Sequence, residues 1–415
     1  MNDLEETLRS TLGHAAERAP RRLGALATQV EARHRQRRRR TQAALAAAAV
    51  AVLAGGTTFV LTGPGPAAPT LGNPRATVSA EVATAAPADR ALPEPVEKVW
   101  PQAVHKLPAR LPGGSRFQPV AFIDDRTVLV ETQASFEKAD ALFAYDLETH
   151  EARRLADVPT PEGTVLFASD FTIGDGHIVW WTANKEGVAQ LWSVPVTGGQ
   201  AKLVAERKAT VPTEERDNDA ALDPPAVANG RITFSFRSGG VFRVSLDGGT
   251  TEPVPDAERL HVLKGPWIGP GGWYGPDDGV RFGEIRNVET GETRTAVTRP
   301  GERDVRCGVT SCMGLRAGGR EAFVRLRDGS GERKLPGGFT FHRLPARDRF
   351  HTALAGDANA RGMALHDLAT GTAADLGIRM GKDNSVASPQ PALDERLMAY
   401  PVGDEIVVLD LSKIP

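Results

Sequence analysis

From Ala141 to the C-terminus one phrase returns seven times: an apolar strand, a turn rich in Gly, Asp or Thr, and a second strand. It reads ALFAYDLETHEARRL from Ala141, QLWSVPVTGGQAKLV from Gln190, GVFRVSLDGGTTEPV from Gly240 and RFGEIRNVETGETRTAV from Arg281; AFVRLRDGSGERKL from Ala322, MALHDLATGTAADL from Met363 and EIVVLDLSKIP from Glu405 follow. With Leu142, Leu191, Val241, Phe282, Phe323, Ala364 and Ile406 taken as equivalent, successive spacings are 49, 50, 41, 41, 41 and 42 residues. A unit of this size cannot bury its own apolar face, so copies must stack on one another. Two further strand-like runs precede most copies, such as PVAFID and TVLVET before the first. Four strands per unit and about seven units predict an all-β, seven-bladed propeller over residues 96–415.

The last unit stops after its third strand, which leaves one outer strand missing. The run EKVWPQAVHKL, Glu97 to Leu107, lies ahead of the first full unit and is expected to supply it, pairing the two ends of the domain. Pro101 is tolerable there because an outermost strand has one unpaired edge. Gly-Gly pairs fall at irregular intervals and no Trp-Asp dipeptide occurs, so neither a kelch nor a standard WD register is present.

Ahead of the repeats, residues 41 to 74 carry no charge, directly after Arg33, Arg35, Arg37, Arg38, Arg39 and Arg40. Ala43 to Leu61 is long enough to cross about 30 Å of hydrocarbon as a helix. The reading is a single transmembrane helix over 41–62, with the arginine collar against anionic lipid and the N-terminus held in the cytoplasm. A buried soluble helix and a cleaved signal peptide are its rivals. The first fits poorly beside a polyarginine flank and a Pro-rich continuation; the second would need an unusually long basic region.

Residues 1–40 then form a basic cytoplasmic tail of two short helices broken at Pro20. Leu4, Leu8 and Leu12 make a stripe on the first, open to a partner helix, to the inner leaflet or to a plain surface role. Residues 63–95 hold 7 Pro and 9 Ala and read as a semi-extended linker. Residues 1–40 carry a net charge of +5 and the rest −7, so the basic excess sits at the membrane and no nucleic-acid partner is expected.

Cys307 and Cys312, the two cysteines, fall in the exported part, where an even pair reads as a disulfide. Gly-Val-Thr-Ser between them can turn a tight hairpin that sets their Cβ atoms face to face. Zinc or redox chemistry are the competing readings, but His342, the nearest histidine, is 30 residues away and Cys-x-x-Cys spacing is absent.

The repeat phrases resemble the blades of TolB-like and WD-like propellers. The whole layout, with its polyarginine collar, Ala-rich anchor, Pro/Ala linker and propeller, resembles a group of actinobacterial single-pass membrane proteins. Within that group the tail is similar to those encoded beside extracytoplasmic-function sigma factors, which implies a regulatory role. The resemblance carries over no catalytic residue.

Chemistry is sparse in the sequence. There is no Gly-x-Ser-x-Gly, and Gly329-Ser330-Gly331 is expected in a hairpin turn. The histidines show no metal-ligand spacing; His342 and His351 read as strand residues. Glu214, Glu215, Asp217, Asp219 and Asp223 offer clustered oxygens, but without an EF-hand pattern they read as an inter-strand loop. Asp124-Asp125 and Asp277-Asp278 read as turn residues. No catalytic, cofactor or metal site is expected. Three functions remain open: a binding, scaffolding or sensing module for an envelope protein or ligand on a propeller face, signalling through the tail to a regulator such as a sigma factor, and a propeller hydrolase or lyase.

Overall fold

The computed structural model describes residues 91–415 except 136–137, 210–219, 272–279, 320, 338–343, 358–360 and 382–384, together with the backbone of Ala76–Thr77. The tail with Leu4, Leu8, Leu12 and the arginine collar, and the expected membrane segment, lie outside the described residues. Among the described residues no helix is long and apolar enough to cross a membrane.

The repeats fold as a seven-bladed propeller. Blade 1 is Phe117–Phe122, Thr127–Ser135, Lys138–Asp146 and Ala152–Asp157, paired antiparallel in chain order. Blades 2 to 5 begin at Thr164, Ala226, His261 and Arg303 and repeat the same four-stranded meander. Blade 6 shows its second to fourth strands, Phe350–Gly356, Arg361–Asp367 and Ala373–Arg379, and Pro95 bridges in parallel to Asp375 on its outer edge. Blade 7 combines Leu397–Val402 and Glu405–Asp410 with the N-terminal strand Val104–Pro108. The backbone of Ala76–Thr77 pairs with Ala387–Ser388 ahead of these strands.

Six of the seven equivalent repeat positions lie on the third strand of their blade; Phe282 stands just ahead of its third strand, Glu284–Asn287. Central strands are buried on both faces, as at Ile178–Ala183, because each sheet is packed between two others. Successive clusters therefore mix neighbouring blades: Leu107 and Phe117 share a core with Tyr145, Leu397 and Ile406.

Ring closure follows the sequence expectation with one change. Leu107 pairs with Ile406 and Val104 with Leu409, so the strand Val104–Pro108 completes the last blade. The strand is shorter than Glu97 to Leu107: Val96–Val99 is a helical turn and Pro101–Ala103 a 3-10 turn. Pro101 opens that turn, where its fixed φ and missing N–H are compatible.

Three blades around the seam share a lock. In blades 1, 6 and 7 the arginine immediately before the second strand (Arg126, Arg349, Arg396) meets the aspartate that ends the third (Asp146, Asp367, Asp410). Arg349 Nε and Nη2 each donate to Asp367 at 2.7 Å, and Arg396 grips Asp410 at 2.9 and 2.6 Å. Each aspartate also accepts backbone N–H groups from the following turn, such as Glu148 and Thr149 at Asp146. Burial alone would raise the Asp367 carboxyl, but Arg349, Thr370 and the Ala369 N–H outweigh it and hold it at about 2. Arg349 also donates to the carbonyls of Ile414 and Pro415, which fixes the C-terminus.

Candidate functional site

An antiparallel meander puts its first-to-second and third-to-fourth connections at one end and the others at the opposite end. The first end is a turn face: its third-to-fourth connections, from 147–151 to 368–372, are all five or six residues long. The second end is a loop face, and it carries the long connections 209–225 between blades 2 and 3 and 270–283 within blade 4. Loops on a rigid scaffold are where recognition concentrates.

The foot of connection 270–283 is fixed unusually well. Phe282 donates its N–H to the Pro270 carbonyl at 2.9 Å, closing the base. Phe282 itself has φ +53°, a left-handed conformation that a bulky side chain adopts only when its surroundings impose it. Arg281 then adds to the innermost strand of blade 5: its N–H donates to Val305 O at 2.9 Å and its carbonyl accepts from Cys307 N at 3.0 Å.

Cys307 and Cys312 face each other across the adjacent first and second strands and form the expected disulfide. Both are buried. The Gly308 carbonyl of that hairpin accepts from Arg327 Nη1 at 2.6 Å, while Arg327 Nη2 donates to the carbonyls of Phe282 at 3.0 Å and Gly283 at 2.7 Å. Burial and the nearby Arg294 push the Arg327 guanidinium down to about 10. It remains a cation near neutrality, held by carbonyl dipoles. The disulfide hairpin and Arg327, both at the turn-face end of blade 5, thus hold the end of the connection, Arg281–Gly283, against that blade.

Near the end of the other long connection, 209–225, stands Asp223, which is fully buried. Its Oδ2 accepts from Ser235 Oγ at 2.7 Å and lies 2.9 Å from His261 Nδ1. The Ser235 hydroxyl also accepts from the Val262 N–H at 2.9 Å. The aspartate therefore ties the second strand of blade 3 to the first strand of blade 4. Serine, aspartate and histidine are not wired as a nucleophile relay, because the serine hydroxyl is spent on the aspartate and cannot present its proton to the imidazole. Asp223 is a blade tie rather than part of an exposed acidic loop. Its partner Ser235 is 12 residues away and His261 is 38 residues away, and such a contact has no sequence signal short of the fold.

Of the remaining expectations, Asp124 accepts the Arg126 and Thr127 N–H groups as a turn residue should. Gly329-Ser330-Gly331 lies in the turn between Ala322–Leu326 and Arg333–Lys334. His351 is a buried strand residue, opposite His366. Positions 214–219, 277–278 and 342 are outside the described residues. Among the described residues no group of three or more His, Cys, Asp or Glu could hold a metal ion.

No protein-family profile matches the sequence, and no curated protein matches it. Solved structures with similar coordinates include an oligogalacturonate lyase from Vibrio parahaemolyticus (10% identity, 74% of this chain and 91% of that one, TM-score 0.41). BamB from Moraxella catarrhalis aligns at 10% identity over 72% of this chain and 86% of its own, TM-score 0.33. A TolB candidate from Agrobacterium tumefaciens aligns at 13% identity over 74% and 98%, TM-score 0.28.

Proposed function

We propose that this chain is a membrane-tethered, extracytoplasmic binding module whose loop face recognises an envelope protein or ligand. The observation that carries the reading is the asymmetry of the ring. Connections 209–225 and 270–283 both belong to the loop face, and the end of the second, Arg281–Gly283, is held by Arg327 and the Cys307–Cys312 hairpin, which reach it from the turn-face end of blade 5. A clamped foot lowers the ordering cost of binding at the loop above it. The opposite face is given over to short turns, the Arg–Asp locks and the C-terminus.

The anchor rests on the uncharged run after Arg40, and export on the cysteine pair, which belongs in an oxidising compartment. A direct test replaces 272–278 with a Gly/Ser segment in the full-length protein in native membranes, followed by chemical crosslinking and affinity capture. The expected result is loss of one reproducible crosslinked partner with an unchanged melting transition. Equal recovery of every partner from both proteins would refute the assignment to this face. The Leu4, Leu8 and Leu12 stripe supports a second, cytoplasmic reading, contact with a transcription regulator such as a sigma factor. Unaltered transcription after deletion of residues 2–30 would exclude it.

A further inference from the structure

The first strand of blade 4 ends at Lys264, and the first-to-second connection of blade 7 contains Glu395. These blades stand on opposite sides of a seven-membered ring. Lys264 Nζ nevertheless lies 2.8 Å from Glu395 Oε2, and the same oxygen accepts the Arg347 N–H of blade 6 at 3.2 Å. A lysine and a glutamate can meet in this way only across the channel itself. Both residues sit at the turn-face ends of their strands, so the contact spans that mouth.

A second, independent feature marks the same place. Arg347, Asp348 and Glu395 have φ of +55°, +56° and +57°. Left-handed backbone at an arginine and a glutamate persists where the surroundings impose it, and it concentrates at clamps and switches. Asp348 is in turn held by Ser311 Oγ of blade 5, which donates to it at 2.5 Å. Four blades therefore converge on one mouth of the channel.

We propose that Lys264, Glu395 and the Arg347 backbone form an ionic latch that closes the turn-face mouth and makes the channel a well open only to the loop face. The inference goes beyond the binding reading and does not need a ligand. Side-chain exposures of 54% for Lys264 and 34% for Glu395 leave the pair open to ions, so the latch loosens as ionic strength rises.

Zero-length carbodiimide coupling of the intact protein, read by peptide mass spectrometry, tests this directly. Lys334–Glu321 at 2.9 Å, joined within blade 5, is the internal reference. The expected product is a Lys264–Glu395 amide at roughly 0.01 M salt whose yield, relative to the unmodified Lys264 and Glu395 peptides, falls several-fold near 1 M as the screening length shrinks from about 30 to about 3 Å. Detection of the reference amide without the Lys264–Glu395 amide at low salt overturns the latch. A ratio that does not change with salt overturns its release. Glu395→Gln should raise amide exchange over 261–264 and 344–349, and the reversed pair K264E/E395K should restore protection; failure of the reversed pair to do so also counts against the latch.

Discussion

Leu107→Ala is the perturbation that separates a closed ring from a row of blades. Leu107 is 1% exposed, pairs with Ile406 across the seam, and packs among Phe117, Tyr145, Leu397 and Val408. Truncation removes three buried carbons from a site walled by two sheets, where collapse is restricted, so the cost is about 3 kcal/mol, the middle of the range for buried leucine. Val402→Ala on the same blade, at a side chain 36% exposed, should cost within about 0.5 kcal/mol and serves as control. Urea unfolding of both variants can be followed by tryptophan fluorescence in two backgrounds, one keeping only Trp100 and the other only Trp180 and Trp181, with the remaining tryptophans replaced by Phe. Trp100 is buried beside the seam, whereas Trp180 and Trp181 are buried in blade 2. In a ring closed by this strand, L107A lowers the transition midpoint for all these reporters together. A normal blade 2 transition accompanied by early loss of the Trp100 signal alone would show that the seam strand is an appendage, and an unchanged midpoint would refute the packing argument.

Other consequences follow from the same packing. Burial holds His366 down at about 4 from its usual 6.5, so the unfolded chain takes up a proton that the folded one refuses; His366→Phe should remove about 3 kcal/mol of the stability lost as pH falls from 6.5 to 4, measured by urea unfolding across that interval. C307A/C312A should cost about 2 kcal/mol, as a short disulfide loop predicts, and raise amide exchange at Phe282 as well as at Cys307, because the clamp joins them. Asp223→Ala strands the Ser235 and His261 donors and should cost about 3 kcal/mol, whereas Asp223→Asn, whose carbonyl can take the place of Oδ2, should cost about 1 kcal/mol; equal losses in equilibrium unfolding would contradict the tie.

The repeat was legible because the third strand of each blade combines an apolar run with a turn of nearly constant length. Leu142, Leu191, Val241, Phe323, Ala364 and Ile406 mark it at every blade except the fourth. Blade 4 is irregular because 270–283 interrupts its second and third strands, and there Phe282 takes a left-handed conformation instead of extending the strand. The disulfide was legible for a local reason, since four residues between the cysteines suit a hairpin. Long-range side-chain ties had no comparable signal: Asp223 with His261, or Lys264 with Glu395, meet only once the ring is closed. The Arg–Asp lock lies between these cases. An arginine directly before a second strand and an aspartate ending the third is a visible pattern at Arg126 and Asp146, Arg349 and Asp367, and Arg396 and Asp410, but its meaning depends on knowing the strand ends.

A side-chain acceptor at the end of the third strand keeps several turns of the turn face short. In blades 1 and 6 the locked aspartate, and in blade 4 Asn287, accepts N–H groups two or three positions on within a five-residue turn, so an insertion there would pull the acceptor away from its donors. Among the second-to-third connections, 270–283 is 14 residues long. At that length it needs a fixed foot. The Cys307–Cys312 hairpin and Arg327 supply one from the neighbouring blade rather than its own, so the geometry of the foot at Phe282 and Gly283 is set by the blade 4–blade 5 packing. Arg327→Met, which keeps the apolar stem and removes every donor to Gly308, Phe282 and Gly283, should therefore loosen this connection before it unfolds the ring. Amide exchange at Arg281 and Phe282 should rise at least tenfold, with that at Ile178–Ala183 of blade 2 unchanged. A uniform rise across all blades would mean that Arg327 supports the ring as a whole and that the loop has no separate footing.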